Sequence, residues 1–141
     1  MVAEVFLDSN ILIYAAYPKQ DEAWKRNIAF NLIKAEDYAI STQVMLEFLN
    51  VTTRKRKPGL ELEVAKEWLV DLGTSAVIGA DENLVLEAVE LSQRYKIVFW
   101  DGMIIAAANR AGARTLFTED LNHGQKYGEV EVINPFKNLP N

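Results

Sequence analysis

The chain has 141 residues, half of them hydrophobic, which is the length of one ordinary domain with enough apolar material for a core. It has no cysteine and a single histidine, His123, so disulfides, thiol catalysis, thiolate zinc sites and any mechanism needing two imidazoles are excluded. A formal net charge of -5 argues against a broad basic face for nucleic acid, yet it suits an enzyme whose carboxylates gather divalent cations that then meet a phosphate.

The first predicted element is a strand over 4–8, followed after Ser9 and Asn10 by a helix over 11–16. Trp24, Ile28, Leu32 and Ala35 recur at helical spacing across 21–35, and Tyr38-Ala39-Ile40-Ser41 reads as a second strand. A helix over 43–56 is stopped by Pro58-Gly59, and Val64, Ala65, Trp68, Leu69 and Leu72 give another, with Gly73 expected as the left-handed residue past its end. After a strand over 75–78, Asp81 is expected to cap a helix carrying Leu84, Ala88, Leu91 and Tyr95, and Asp101 to cap one over 103–110. Strands over 115–118 and 130–133 complete the series. No repeat or linker divides the chain, so a single domain over 1–141 is expected. Strands alternating with helices predict an α/β sandwich with a mostly parallel sheet of about five strands, its ligands beyond the carboxyl ends of the strands. No apolar run approaches the roughly 18 residues of a membrane span, and no basic leader precedes the first strand, so a soluble, cytoplasmic protein is expected.

Asp8 follows the first strand and Asp120 the fourth, where such a site would form. Each acid has a structural reading of its own: Asp8 and Asp101 as caps, Asp120 in a turn, Glu47 on a solvated helix position. Together they are harder to dismiss. Glu47 falls near the edge of the stripe Val44, Phe48, Val51, where burying a lone carboxylate is costly, and Asp101 follows the apolar run Ile97-Val98-Phe99-Trp100. Converging carboxylates repel one another unless cations neutralise them, and Mg2+ or Mn2+, which prefer oxygen ligands, are the natural choice.

The segments Leu7-Asp8-Ser9-Asn10, Ile40-Ser41-Thr42-Gln43-Val44-Met45-Leu46-Glu47-Phe48, Phe99-Trp100-Asp101-Gly102 and Phe117-Thr118-Glu119-Asp120-Leu121-Asn122-His123-Gly124 resemble, in order and spacing, the PIN-domain nucleases, and most closely the VapC-type toxins of prokaryotic toxin-antitoxin pairs. The resemblance covers essentially the whole chain. It implies a PIN-like three-layer sandwich and a metal-dependent endoribonuclease, the toxin of a type II pair. Asp8, Glu47 and Asp101 then correspond to the core metal ligands and Asp120 to the fourth acid, with Asn10 and Thr118 as assisting polar residues. Glu119 lies near the site, as a metal ligand or as a solvated turn residue. Gly102 stands where the family commonly has alanine, a change expected to cost some rigidity and touch no ligand.

The basic run Arg54-Lys55-Arg56-Lys57 reads either as a track for an RNA backbone or as cations that favour a helix end. His123 is expected in a turn, and Trp24, Trp68 and Trp100 in the core. An aspartyl-phosphate phosphotransferase is disfavoured, since it wants a second aspartate where Asn10 stands. A catalytically silent PIN-like RNA-binding or scaffold domain is the non-enzymatic alternative, against which the retention of every acid speaks. The resemblance further implies a cognate antitoxin and a homodimer. The apolar width added by Trp24 and Phe30 to the 21–35 helix is a candidate surface for them.

Overall fold

Val5, Phe6 and Leu7 have no polar face and form the innermost strand of the computed structural model, which describes residues 3–35 and 37–137. In chain order the elements are β1 (Val5–Leu7), α1 (Ser9–Ala16), α2 (Ala23–Ala35), β2 (Tyr38–Ser41), α3 (Thr42–Asn50), α4 (Leu62–Leu72) and β3 (Ala76–Ile78). They continue with α5 (Glu82–Tyr95), α6 (Phe99–Arg110), β4 (Thr115–Phe117), β5 (Lys126–Tyr127) and β6 (Val130–Ile133). The strands form one sheet in the order β3-β2-β1-β4-β6-β5, parallel except for β5 against β6. β1 and β2 are buried throughout, as strands covered on both faces must be.

From β1 through β2 to β3 the chain steps outward along the sheet; its next step, from β3 to β4, runs back past β1. Right-handed crossovers therefore put α1 to α4 on one face and α5 and α6 on the other. The packing agrees: α1 lies against α2 and α3, α3 against α4, and α5 along α6. This is the expected α/β three-layer sandwich. α1 is apolar around its circumference, and residues 11–16 are all buried. β1 and β4 are neighbours whose connections leave in opposite directions, so a crevice opens beyond their carboxyl ends. Asp8 and Thr118 are the first residues past those ends, brought side by side by the Leu7–Phe117 register.

Several expectations are corrected. There are six strands among the described residues, the extra one being β5, whose two residues are too few for any alternation to show. α3 ends at Asn50 and opens into a π turn (Val51–Lys55), where the hydroxyls of Thr52 and Thr53 bond back to the carbonyls of Phe48 and Leu49 at 2.7 and 2.6 Å. Gly73 does close α4 but with φ -87°, so it is not left-handed. Asp81 caps α5 as expected, accepting from Leu84 N at 2.9 Å. Asp101 caps nothing: α6 begins two residues earlier and Asp101 sits in its first turn. Trp24 and Trp100 are not core residues, being 49 % and 60 % exposed, while Trp68 is partly buried against Phe30.

Gly102 also departs from expectation. A Cβ at this position would lie 2.5 Å from the carbonyl oxygen of Ala88, so the glycine is what lets α6 close on the backbone of α5. Gly102→Ala is expected to cost about 1–3 kcal/mol, the usual penalty of overpacking, despite alanine's better helix propensity. Urea unfolding checks this; unchanged or increased stability would show that the two helices separate freely.

Candidate active site

Asp8 sits between a strand and a helix, and the cap expected of it is observed. It is the N-cap of α1, its Oδ1 accepting from Ser9 N at 2.7 Å, and its Oδ2 accepts from the Thr118 hydroxyl at 2.8 Å. Only 5 % of Asp8 is exposed. Burial raises its carboxyl to about 7, against the pull of those two hydrogen bonds and with a further push from the charges of Asp120 and Glu47. Thr118, fully buried, is a hub: while donating to Asp8 it accepts from Asn10 Nδ2 and from Asp120 N, each at 3.1 Å. Asn10 Nδ2 also donates to Asp120 Oδ2 at 3.2 Å. One hydroxyl and one amide thus hold two carboxylates from opposite ends of the chain.

Glu47 reaches the same place from α3, accepting from the Ser9 hydroxyl at 3.1 Å and from Gln43 Nε2 at 3.3 Å. It is exposed, so the burial cost inferred from its helical position is not incurred. Asp101 is held above the ordinary carboxylate range by burial and then by the charges of Asp120 and Glu47. Asp120 is raised too, by partial desolvation of its carboxyl, with the Asn10 bond opposing and Glu119 adding. Asp8, Glu47, Asp101 and Asp120 line one cavity of about 690 Å³, together with Gln43, Leu46, Lys55, Trp100 and Ile104. Glu119 does not line that cavity; it is paired with Lys25 at 2.9 Å and hydrogen-bonded by the Tyr14 hydroxyl.

The basic run divides in the structure. Arg56 is committed to Glu22 at 3.1 Å and to the Tyr17 carbonyl at 3.2 Å, whereas Lys55 lines the acidic cavity and, with Lys19 and Lys57, an adjoining groove. His123 stands in its turn, its Nδ1 accepting from Asn134 N at 3.0 Å. Ser9, Gln43 and Leu46 were passed over as site residues. The Gln43–Glu47 spacing of one helical turn is a signal that points to the second.

The donors offered here are oxygens, the ligand type that divalent cations such as Mg2+ prefer. Asp8, Asp101 and Asp120 hold their protons more tightly than ordinary carboxylates, and among the described residues the buried Asn10 Oδ1 has no hydrogen-bond partner, leaving an acceptor that a cation or its water would satisfy. Among the described residues, however, no three acidic side chains stand close enough to form one coordination sphere.

Residues 5–129 match the family model described as PIN domain. The chain belongs to the PIN domain family. Among curated proteins none matches significantly. Solved structures share the PIN fold at low identity. A toxin-antitoxin complex from Klebsiella pneumoniae gives TM-score 0.69 at 20% identity, over 94% of this chain and 98% of that one. FitAcB from Neisseria gonorrhoeae gives 0.65 at 19%, over 94% and 99%. VapC20 from Mycobacterium tuberculosis, a sarcin-ricin loop cleaving toxin, gives 0.62 at 20%, over 82% and 91%. No helix among the described residues is long and apolar enough to cross a membrane.

Thr118→Val tests the hub of this PIN-domain site. Removing the hydroxyl strips Asp8 of a donor and two N–H groups of an acceptor, for an expected loss of about 1–3 kcal/mol. The loss should be larger at pH 8, where Asp8 is ionised, than at pH 5, where it is protonated. Denaturant titrations at both pH values check this, and an equal loss at both would show that the hydroxyl does not support the carboxylate.

Proposed function

We propose that this PIN domain is a Mg2+- or Mn2+-dependent endoribonuclease, hydrolysing RNA phosphodiester bonds, and that it is the toxin of a type II toxin-antitoxin pair. The observation that carries the nuclease reading is the convergence of Asp8, Glu47, Asp101 and Asp120, from four separate segments, on one cavity at the crossover point of the sheet. A bound cation supplies Lewis acidity there, making hydroxide available from water near neutral pH and neutralising charge on the leaving oxygen. The protein's own residues do the rest. Ser9 N and the Thr118 hydroxyl fix the Asp8 carboxylate, Asn10 and Asp120 N–H fix the opposite wall, and Lys55 meets the phosphate. Water attack in line on phosphorus, expelling the 3′ oxygen, leaves a 5′ phosphate and a 3′ hydroxyl. This route needs no histidine pair, as a chain with only His123 requires.

RNA as substrate is supported by the sequence resemblance and by the likeness to VapC20, itself a sarcin-ricin loop cleaving toxin. A small antitoxin as inhibitor is supported by the likeness to a toxin-antitoxin complex, and the two-fold dimer and cytoplasmic setting belong to the same toxin reading, which the sequence resemblance implies. The antitoxin reading expects an arginine that reaches the acids and competes with the cation. One observation favours the catalytically silent alternative, namely that the acids stand apart, so a working enzyme must draw them inward on binding metal. Incubating the purified chain with a mixed RNA pool and manganese, and sequencing the ends, separates the two. Products with 5′ phosphates, lost in Asp101→Asn, support the nuclease; intact RNA throughout refutes it. Co-expression with the neighbouring reading frame tests the partner: failure to co-purify with a small protein, and no growth defect when expressed alone, would remove the toxin reading only.

A further inference from the structure

Beside the acids the cavity wall carries one exposed indole, which neither metal binding nor the helix requires. Trp100, 60 % exposed, lines it, and the adjacent Phe99 is 52 % exposed, the two rings 5.0 Å apart and inclined at 43°. Leu46, 67 % exposed, lines the same cavity from α3. Gln43 Nε2 donates to the Trp100 carbonyl at 3.1 Å, pinning this end of α6 to α3. Large apolar faces left in water at a cavity mouth lose the stabilisation that burial provides, and a ligand that covers them restores it.

We propose that Trp100, backed by Phe99 and with Leu46 on the same cavity, is a base-stacking site that holds an unpaired nucleotide beside the scissile phosphate. This rests on the nuclease reading above and adds a requirement to it. Trp100 immediately precedes Asp101, so their Cα atoms are about 3.8 Å apart. Both side chains line the one cavity, and a base is joined to its phosphate through one sugar, so a phosphate held in that cavity leaves its base within reach of the indole. Bases inside a duplex are already stacked on their neighbours and cannot offer a face, so the substrate must be single-stranded at this point. Charge supports a nucleotide over an apolar protein segment. Lys55 lines the cavity, and the groove it shares with Lys19 and Lys57 continues the positive path that a phosphate backbone would follow.

The test is binding of a fluorescein-labelled oligoribonucleotide of about ten unpaired nucleotides, and of its duplex with a complement, by an Asp101→Asn parent in magnesium. Trp100→Ala in that background should weaken single-strand binding about 5- to 150-fold, the range for one lost base stack, with Trp100→Phe retaining most of the affinity and duplex binding unchanged. Quenching of tryptophan fluorescence by the single strand should vanish in both variants. Equal affinity of Trp100→Ala and parent, an equal loss toward duplex, or conversion of a dimer to a monomer by Trp100→Ala in sedimentation would overturn the proposal. The last result would assign the patch to a second copy of the chain. Cleavage of the same oligonucleotide by the wild type with manganese is scored separately. Cleavage unaffected by Trp100→Ala removes the stacking site alone, while a wild type that neither binds nor cleaves removes both readings.

Discussion

Asp8→Asn should abolish RNA cleavage while making the folded chain more stable at neutral and alkaline pH. The activity loss should exceed about 100-fold, the upper range for losing a residue that merely orients a metal ligand. The stability change follows from linkage. The Asp8 carboxyl is raised from 3.8 to about 7 in the folded chain, so between those values the native state holds a proton that the unfolded state has released. An acid raised in this way weakens the fold as pH climbs through that window, and its contribution is level again above about 7. The gap corresponds to about 4 kcal/mol at ~1.4 kcal/mol per pH unit. Asparagine does not ionise, so the difference between variant and wild type should move by about that amount in the variant's favour from pH 4 to pH 8. Part of it is offset, because an amide cannot accept from both Ser9 N and Thr118 as the carboxylate does. A net gain of about 1–2 kcal/mol at pH 8 is therefore expected. Denaturant unfolding across this range is the measurement. Parallel pH profiles for the two proteins would mean that Asp8 ionises normally, and full activity in the variant would remove it from the site.

Magnesium or manganese should raise the melting temperature of the wild type, and more at pH 8 than at pH 5. A cation that binds only the native state at about 100 times its dissociation constant adds about 2.7 kcal/mol, or roughly 10 °C for a chain of this size. Asp8, Asp101 and Asp120 all hold protons more tightly than ordinary carboxylates, so protons compete with the metal and the gain must shrink as pH falls. Each acid relieved of repulsion by the cation adds to the effect. Scanning calorimetry with and without metal checks it, with the Asp8→Asn, Asp101→Asn double variant as control. A shift of the same size in the control would place the cation elsewhere; no shift in the wild type would favour the silent domain.

The alternation of strands and helices was legible in the sequence because each element carries its own pattern. β1 and β2 are short β-rich runs, α5 a clean stripe under its Asp81 cap, and the acids follow strand ends where α/β ligands bind. Membership of the PIN domain family was legible in the same way, through four motifs in order. The acids' convergence needed only that topology, since strand order decides which loops are neighbours.

What the tertiary structure alone decided is which neighbour covers each surface. Helical periodicity reports the apolar face of an element but not whether another element lies against it. Trp24 and Trp100 therefore looked like core and are exposed, and Glu47, beside a buried stripe, opens to the cavity. The roles of Thr118 and Asn10 depend on hydrogen bonds spanning more than a hundred residues, and Glu119 is drawn off by Lys25 and Tyr14 from the far side of the chain. Gly102 is required by the Ala88 carbonyl on another helix, a contact that no local pattern contains. Composition and periodicity determined the elements and the chemistry available; close packing between distant segments decided which of those groups meet, because such contacts are properties of pairs and not of any one stretch of chain.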